Sequence, residues 1–249
     1  MKKNNLLTQR EYKFAKTRND TLQVFLQYIK EEREEELTVD VLCEEVGISR
    51  GTFFNYFPSK EHLFTYYGYD FCGKLWLDLQ EKKEKGESPK ERIQYIFAYT
   101  AKEDEKYANS FTKFVQHILR RGEEMIEELP YTRADLLYVF PEEYEEILED
   151  SRLNHEIAER RGLASRDLIH IPTVGEMLHL LILEGIRKKL FIDGIPVDKM
   201  LTHLLNLYFA PPITAKFLGK KQGLKSLYDY LLPDLLERME TSGFQRMER

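Results

Sequence analysis

The chain has 249 residues, 42% of them hydrophobic and 32% charged, with 37 basic against 43 acidic side chains and a net charge of −6. That length supports one large or two modest domains with a developed core, and the composition is that of a globular chain rather than a disordered or fibrous one. Two cysteines without a CxxC or Cys/His ladder argue against a disulfide scaffold and a structural zinc site, and the acidic balance argues against a general basic coat for nucleic acid.

In chain order, residues 1–8 lack the apolar core of a secretory signal. Between Met1 and Asn19 the side chains of Lys2, Lys3, Arg10, Lys13, Lys16 and Arg18 stand against a single acid, Glu11, a basic arm of the kind that neutralises a DNA backbone. A first helix is predicted from Tyr12 or Thr17 to about Glu32, with Leu22, Phe25, Leu26 and Ile29 on its inner face. The acid-rich run 31–36 at its end opposes the helix dipole and predicts fraying into a loop.

The stretch 37–64 is the most informative of the chain. Thr38 is a hydroxyl cap before Val39, Leu42, Cys43 and Val46, which share one helical face. Gly47 supplies the left-handed residue that ends this helix, with Ile48 at the corner. Ser49 caps a second helix, in which Phe53, Phe54 and Phe57 alternate with Arg50, Thr52, Asn55 and Tyr56. Pro58 stops it and Ser59 is read as the cap of a fourth helix. Two short helices joined by a glycine-containing turn form a helix-turn-helix, which offers its second helix to a DNA groove.

The run from Gly47 to Leu63, GISRGTFFNYFPSKEHL, resembles the DNA-binding signature of the TetR family of bacterial transcriptional regulators. It departs from the family pattern at Glu36-Leu37, where a Gly-aromatic pair is usual, at Val39 in place of a second capping hydroxyl, at Phe54 in place of tyrosine, and at Cys43 in place of alanine. The resemblance implies an all-α chain: a three-helix helix-turn-helix domain over 1–68, and a larger helical domain over 69–249 that binds an effector and dimerises. The DNA-contacting set is Thr38, Ser49, Arg50, Gly51, Thr52, Asn55, Tyr56 and Lys60. Arg50 is the candidate reader of a base edge, Gly51 permits close backbone approach, and Tyr56, Lys60 and Thr38 are candidate phosphate ligands.

Beyond the fourth helix, helices are predicted at about 90–106, 110–128, 142–161, 173–192 and 197–209, with one or two between 213 and 239. Pro130, Pro141, Pro172, Pro196 and the pair Pro211-Pro212 punctuate them. No segment alternates with period two. The most apolar segment, 174–192, is interrupted by Glu176, His179, Glu184, Arg187, Lys188 and Lys189 and cannot span a bilayer, so a cytoplasmic protein with no membrane partner is expected. Its leucines cover most of the helix circumference, which predicts a homodimer through the helices near 173–192 and 197–209, with Gly185 permitting close approach of the two-fold copies.

Glu176-x-x-His179 has the spacing of a di-iron carboxylate site, but no second copy of the motif exists, so no metal and no cofactor is expected. No phosphate loop or nucleophile elbow is present, so no enzyme is expected. Candidate effector ligands are Phe111, Phe114, His117, Glu176 and His179, around a largely apolar cavity. The function expected is a homodimeric regulator, usually a repressor in this family, that binds a palindromic operator in double-stranded DNA and responds to a small molecule. The alternative is an all-α enzyme or interaction protein that uses the helix-turn-helix as scaffold.

Overall fold

The computed structural model describes residues 7–33, 35–107, 110–121, 131–141, 171–214 and 223–240, with side chains to residue 116 in the third of these stretches. Among the described residues there are ten helices and no strand: α1 (Gln9–Lys30), α2 (Val39–Val46), α3 (Arg50–Tyr56), α4 (His62–Glu84), α5 (Pro89–Lys106), α6 (Ser110–Arg121), α7 (Arg133–Val139), α8 (Val174–Arg187), α9 (Val197–Thr214) and α10 (Leu224–Met239). The all-α fold with an N-terminal helix-turn-helix is therefore borne out. The predicted helix over 142–161, the end of the one over 110–128, and the side chains of Lys2, Lys3 and His117 lie outside the described residues.

The chain divides into two compact units, one of residues 1–74 and 117–171, the other of residues 75–116 and 172–249. In the first, α1 begins earlier than predicted. Thr8 caps it by accepting from the Glu11 amide, and Glu11 reaches back to the Thr8 amide at 2.8 Å, a reciprocal capping box. Leu22, Phe25, Leu26 and Ile29 are buried as predicted. Arg18 is not part of a solvated basic arm. It is 2% exposed, and its Nη1 pairs at 2.9 Å with Oδ2 of Asp135, which is fully buried.

Asp135 lies on α7, a seven-residue helix that no periodicity in the sequence suggested. Thr132 caps it, and Asp135 completes the box by accepting from the Thr132 amide at 2.9 Å. The Tyr66 hydroxyl donates to the other carboxylate oxygen at 2.9 Å. Burial, with the Asp135 charge beside it, pushes the Tyr66 hydroxyl well above its ordinary value, so it remains a donor. α7 packs along α1, with Tyr138 edge-on to Tyr12 at 5.5 Å.

The fourth helix starts at His62, not directly after Ser59. The amides of His62, Leu63 and Phe64 bond three residues back, a tight turn that delays the helix, and Ser59 Oγ donates to Glu61 at 2.6 Å. Farther along α4, Gly73 leaves room for a neighbour: a Cβ there would lie 2.8 Å from the Phe140 ring.

In the second unit, α8 and α10 both pack on α5 and α9. Phe97, Phe111, Tyr208 and Tyr228 form its aromatic centre, with ring centroids 4.9–6.2 Å apart. α9 runs through Pro211 and Pro212, which were expected to end it. Pro212 has no N–H to bond the Tyr208 carbonyl, and that carbonyl accepts instead from the Tyr228 hydroxyl at 2.7 Å. The borrowed donor, together with burial of both prolines, lets the helix continue.

α8 ends at Arg187, five residues short of the prediction. Lys189 turns the chain back through φ 59°, and Phe191 returns under Gly185. A Cβ on Gly185 would meet the Phe191 ring at 2.1 Å, so the missing side chain admits a residue of the same chain rather than a second copy.

Candidate nucleic-acid interface

The helix-turn-helix is built from local devices. Thr38 accepts from the Val41 amide at 3.2 Å and starts α2. Gly47, at φ 72°, ends it. The Ile48 amide bonds the Cys43 carbonyl at 2.9 Å and the Gly47 amide bonds the Glu44 carbonyl at 3.2 Å, the paired bonds of a Schellman turn. Ser49 caps α3 by accepting from the Thr52 amide at 3.1 Å. Phe53 and Phe57 are fully buried and Leu42 and Cys43 are buried opposite, so α3 has one fixed face.

The opposite face is open. Thr38, Asp40, Ser49, Arg50, Gly51, Phe54 and Asn55 are all exposed. Arg50 Nη1 is held by both carboxylate oxygens of Asp40 at 2.7 and 2.9 Å, a pair across α2 and α3. Both partners are more than half exposed, so the pair is worth little and can open or be shared when a stronger acceptor arrives. Gly51 is not demanded by the fold: a Cβ there would meet nothing nearer than Ser49 Oγ at 3.8 Å. The space it leaves faces outward. Thr52 Oγ1 is 2.9 Å from Ser49 Oγ, so its hydroxyl is partly engaged in the cap.

Tyr56 ends α3 with its ring edge-on to Phe14 at 4.9 Å. Lys60 Nζ donates to the Leu37 carbonyl at 2.7 Å, which ties the entry of α4 to the start of α2 and leaves two of its three donors. Phe54 was noted in the sequence only as a missing hydroxyl. It is 47% exposed, one turn beyond Arg50, an apolar group on an otherwise polar face. Its position four residues after Arg50 was the signal available.

The candidate effector residues do not share one element. Phe111 is buried on α6, against Tyr208 at 5.1 Å and Phe209 at 6.4 Å, and Phe114 lies beside it at 6.3 Å. Glu176 and His179 are half-buried on α8. Glu176 has a local task, since it completes a capping box by accepting from the Thr173 amide at 2.8 Å.

The sequence matches the family model of bacterial regulatory proteins of the tetR family over residues 35–67, the segment just described. No curated protein is significantly similar to the chain in sequence. Among solved structures, Thermus thermophilus FadR, a TetR-family transcriptional repressor solved in complex with lauroyl-CoA, is 17% identical, with a TM-score of 0.59 over 89% of this chain and 94% of its own. A protein from a study of the control of antibiotic production by bacterial hormones is 14% identical, with a TM-score of 0.54 over 91% of this chain and 98% of its own. At such identities the likeness is one of fold. No described helix is long and apolar enough to cross a membrane. The capped α2–turn–α3 geometry and the match over 35–67 make this segment similar to the DNA-binding region of bacterial regulatory proteins of the tetR family.

Proposed function

We propose that the chain is a homodimeric, DNA-binding transcriptional repressor that reads a palindromic operator and is modulated by a small molecule, with DNA binding in 1–68 and effector binding and dimerisation in 69–249. The observation that carries the DNA reading is the one-sided α3: Phe53 and Phe57 anchor it, and Arg50, Gly51, Phe54 and Asn55 lie open on the other side. Only the major groove admits such a helix and displays a distinct pattern for each base pair. Arg50 then reads a guanine edge, and Phe54 suits a thymine methyl. Thr52 and Asn55 contact bases or phosphates, and Ser49, Thr38, Tyr56 and Lys60 hold phosphates. Arg50→Ala should cost about 1–3 kcal/mol on the operator and relax selectivity at one base pair, whereas Lys60→Ala should weaken all sequences alike and flatten the salt slope by about one. Gel-shift titrations at fixed and varied salt measure both, and binding unchanged in both variants would remove DNA from this face.

Dimerisation is supported by Leu180 and Leu183 on α8, which are 44% and 45% exposed, together with the exposed Leu190 and, on α9, Phe209. Large apolar side chains left open on neighbouring elements mark an interaction surface. Leu180→Glu/Leu183→Glu should convert a dimer to a monomer in sedimentation at micromolar concentration and abolish tight operator binding; a wild-type monomer would contradict the proposal. The effector is proposed to approach Phe111, Phe114, His117, Glu176 and His179. That lauroyl-CoA accompanies a protein of the same fold supports a small molecule as effector and names none for this chain.

A further inference from the structure

We infer that the buried Arg18–Asp135 pair is a positioning device for the recognition helix, pinning α1, and with it the end of α3, to a short helix supplied 117 residues later in the chain. The inference rests on the DNA reading above. Asp135 is saturated by three elements: Arg18 of α1 at 2.9 Å, Tyr66 of α4 at 2.9 Å, and the Thr132 amide and hydroxyl at 2.9 and 2.8 Å. Two buried charges give little net stability, since an apolar pair of similar volume serves as well or better. What they add is direction, because a guanidinium and a carboxylate meet in few geometries.

The guanidinium reaches α3 through rings. Its Cζ lies 4.5 Å from the Tyr66 centroid, 5.2 Å from Phe14 and 5.5 Å from Phe57. Phe57 is the C-cap of α3, and Phe14 meets Tyr56, the last residue of α3, edge-on at 4.9 Å. Arg18 thus touches both rings that fix the C-terminal end of the recognition helix. α7 is held in register along α1 by Tyr138 on Tyr12 at 5.5 Å and by Arg133 near Glu11 at 3.7 Å. A shift of α7 therefore moves Arg18, and a shift of Arg18 moves the rings under α3. Arg18 and Asp135 are positioning residues; neither is exposed to a DNA surface.

The test uses the full chain carrying Arg18→Met/Asp135→Asn, in which the carboxamide at position 135 still offers an oxygen to the Thr132 amide. A purely stabilising pair predicts a lowered thermal midpoint, with operator affinity and amide exchange across 50–57 at the wild-type level in the folded protein. Positioning predicts a thermal midpoint near that of the wild type, with affinity for the selected operator reduced about tenfold and affinity for a random-sequence duplex nearly unchanged. In the free protein, amide exchange across 50–57 should rise about tenfold, as the end of α3 loosens. Wild-type operator affinity and wild-type exchange in a folded double variant would overturn the inference. If that variant does not fold, Tyr66→Phe, which removes one hydrogen bond from Asp135, should move both readouts in the same direction by about two- to fivefold, and no movement would be equally decisive. A wild-type chain that binds every duplex alike would instead overturn the DNA reading, and the exchange measurement would still decide the pinning.

Discussion

Asp135→Ala should destabilise the protein by about 3–5 kcal/mol, because it breaks the buried Arg18–Asp135 ion pair from one side. Arg18 is 2% exposed, and its guanidinium lies against the rings of Phe14, Phe57 and Tyr66. The same change removes the acceptor of the Tyr66 hydroxyl and half of the Thr132 capping box. For a chain of this size the loss lowers the thermal midpoint by roughly 10 °C, read by calorimetry or circular dichroism. Asp135→Asn keeps the cap and should cost less. An alanine variant that melted within a degree or two of the wild type would show that the charge pair does not hold α1, α4 and α7 together.

Gly185→Ala should be nearly as damaging, at about 3 kcal/mol or more, although alanine is the better helix former. The added methyl would fall 2.1–2.4 Å from ring carbons of Phe191, which is 1% exposed. The ring cannot yield by a few tenths of an ångström, so it must leave its slot and give up its burial. The turn behind it is also affected, because the Leu190 and Phe191 amides both bond the Gly185 carbonyl, at 2.9 and 3.3 Å. Adding Phe191→Leu in the same chain should recover much of the loss by returning space to the methyl. A single variant as stable as the wild type would show that Phe191 does not need the glycine.

The helix-turn-helix was legible because its signals are local. Thr38, Gly47 and Ser49 act within four residues of themselves, and each does in the structure what its side chain or backbone freedom dictates. The same kind of local signal stands at Thr8-x-x-Glu11 and Thr132-x-x-Asp135, where a capping box starts α1 and α7. What local pattern could not supply was pairing over distance. Arg18 counted as one more basic residue of an arm because nothing near it in sequence announces Asp135. Pro211-Pro212 reads as a stop because the donor that replaces the lost amide belongs to Tyr228, on another helix. Gly185 reads as an opening toward a second copy because the return of Phe191 depends on a turn that the leucine-rich pattern overran. In the candidate interface, the residue types and their spacing were visible from the sequence. The Asp40–Arg50 pair, the tie from Lys60 to Leu37 and the exposure of Phe54 needed coordinates.

The central claim is that the open face of α3 reads a specific DNA sequence. Its most direct test is selection of duplexes from a random pool by the full-length chain, followed by affinity titration of the enriched sequence at several salt concentrations. Enrichment of one two-fold symmetric sequence is expected, with half-sites spaced by whole helical turns and binding that weakens steeply with salt. Arg50→Ala should lose the preference at one symmetric base-pair position while retaining the rest. No enrichment over many rounds, or an enriched sequence that Arg50→Ala binds with unchanged selectivity, would contradict it.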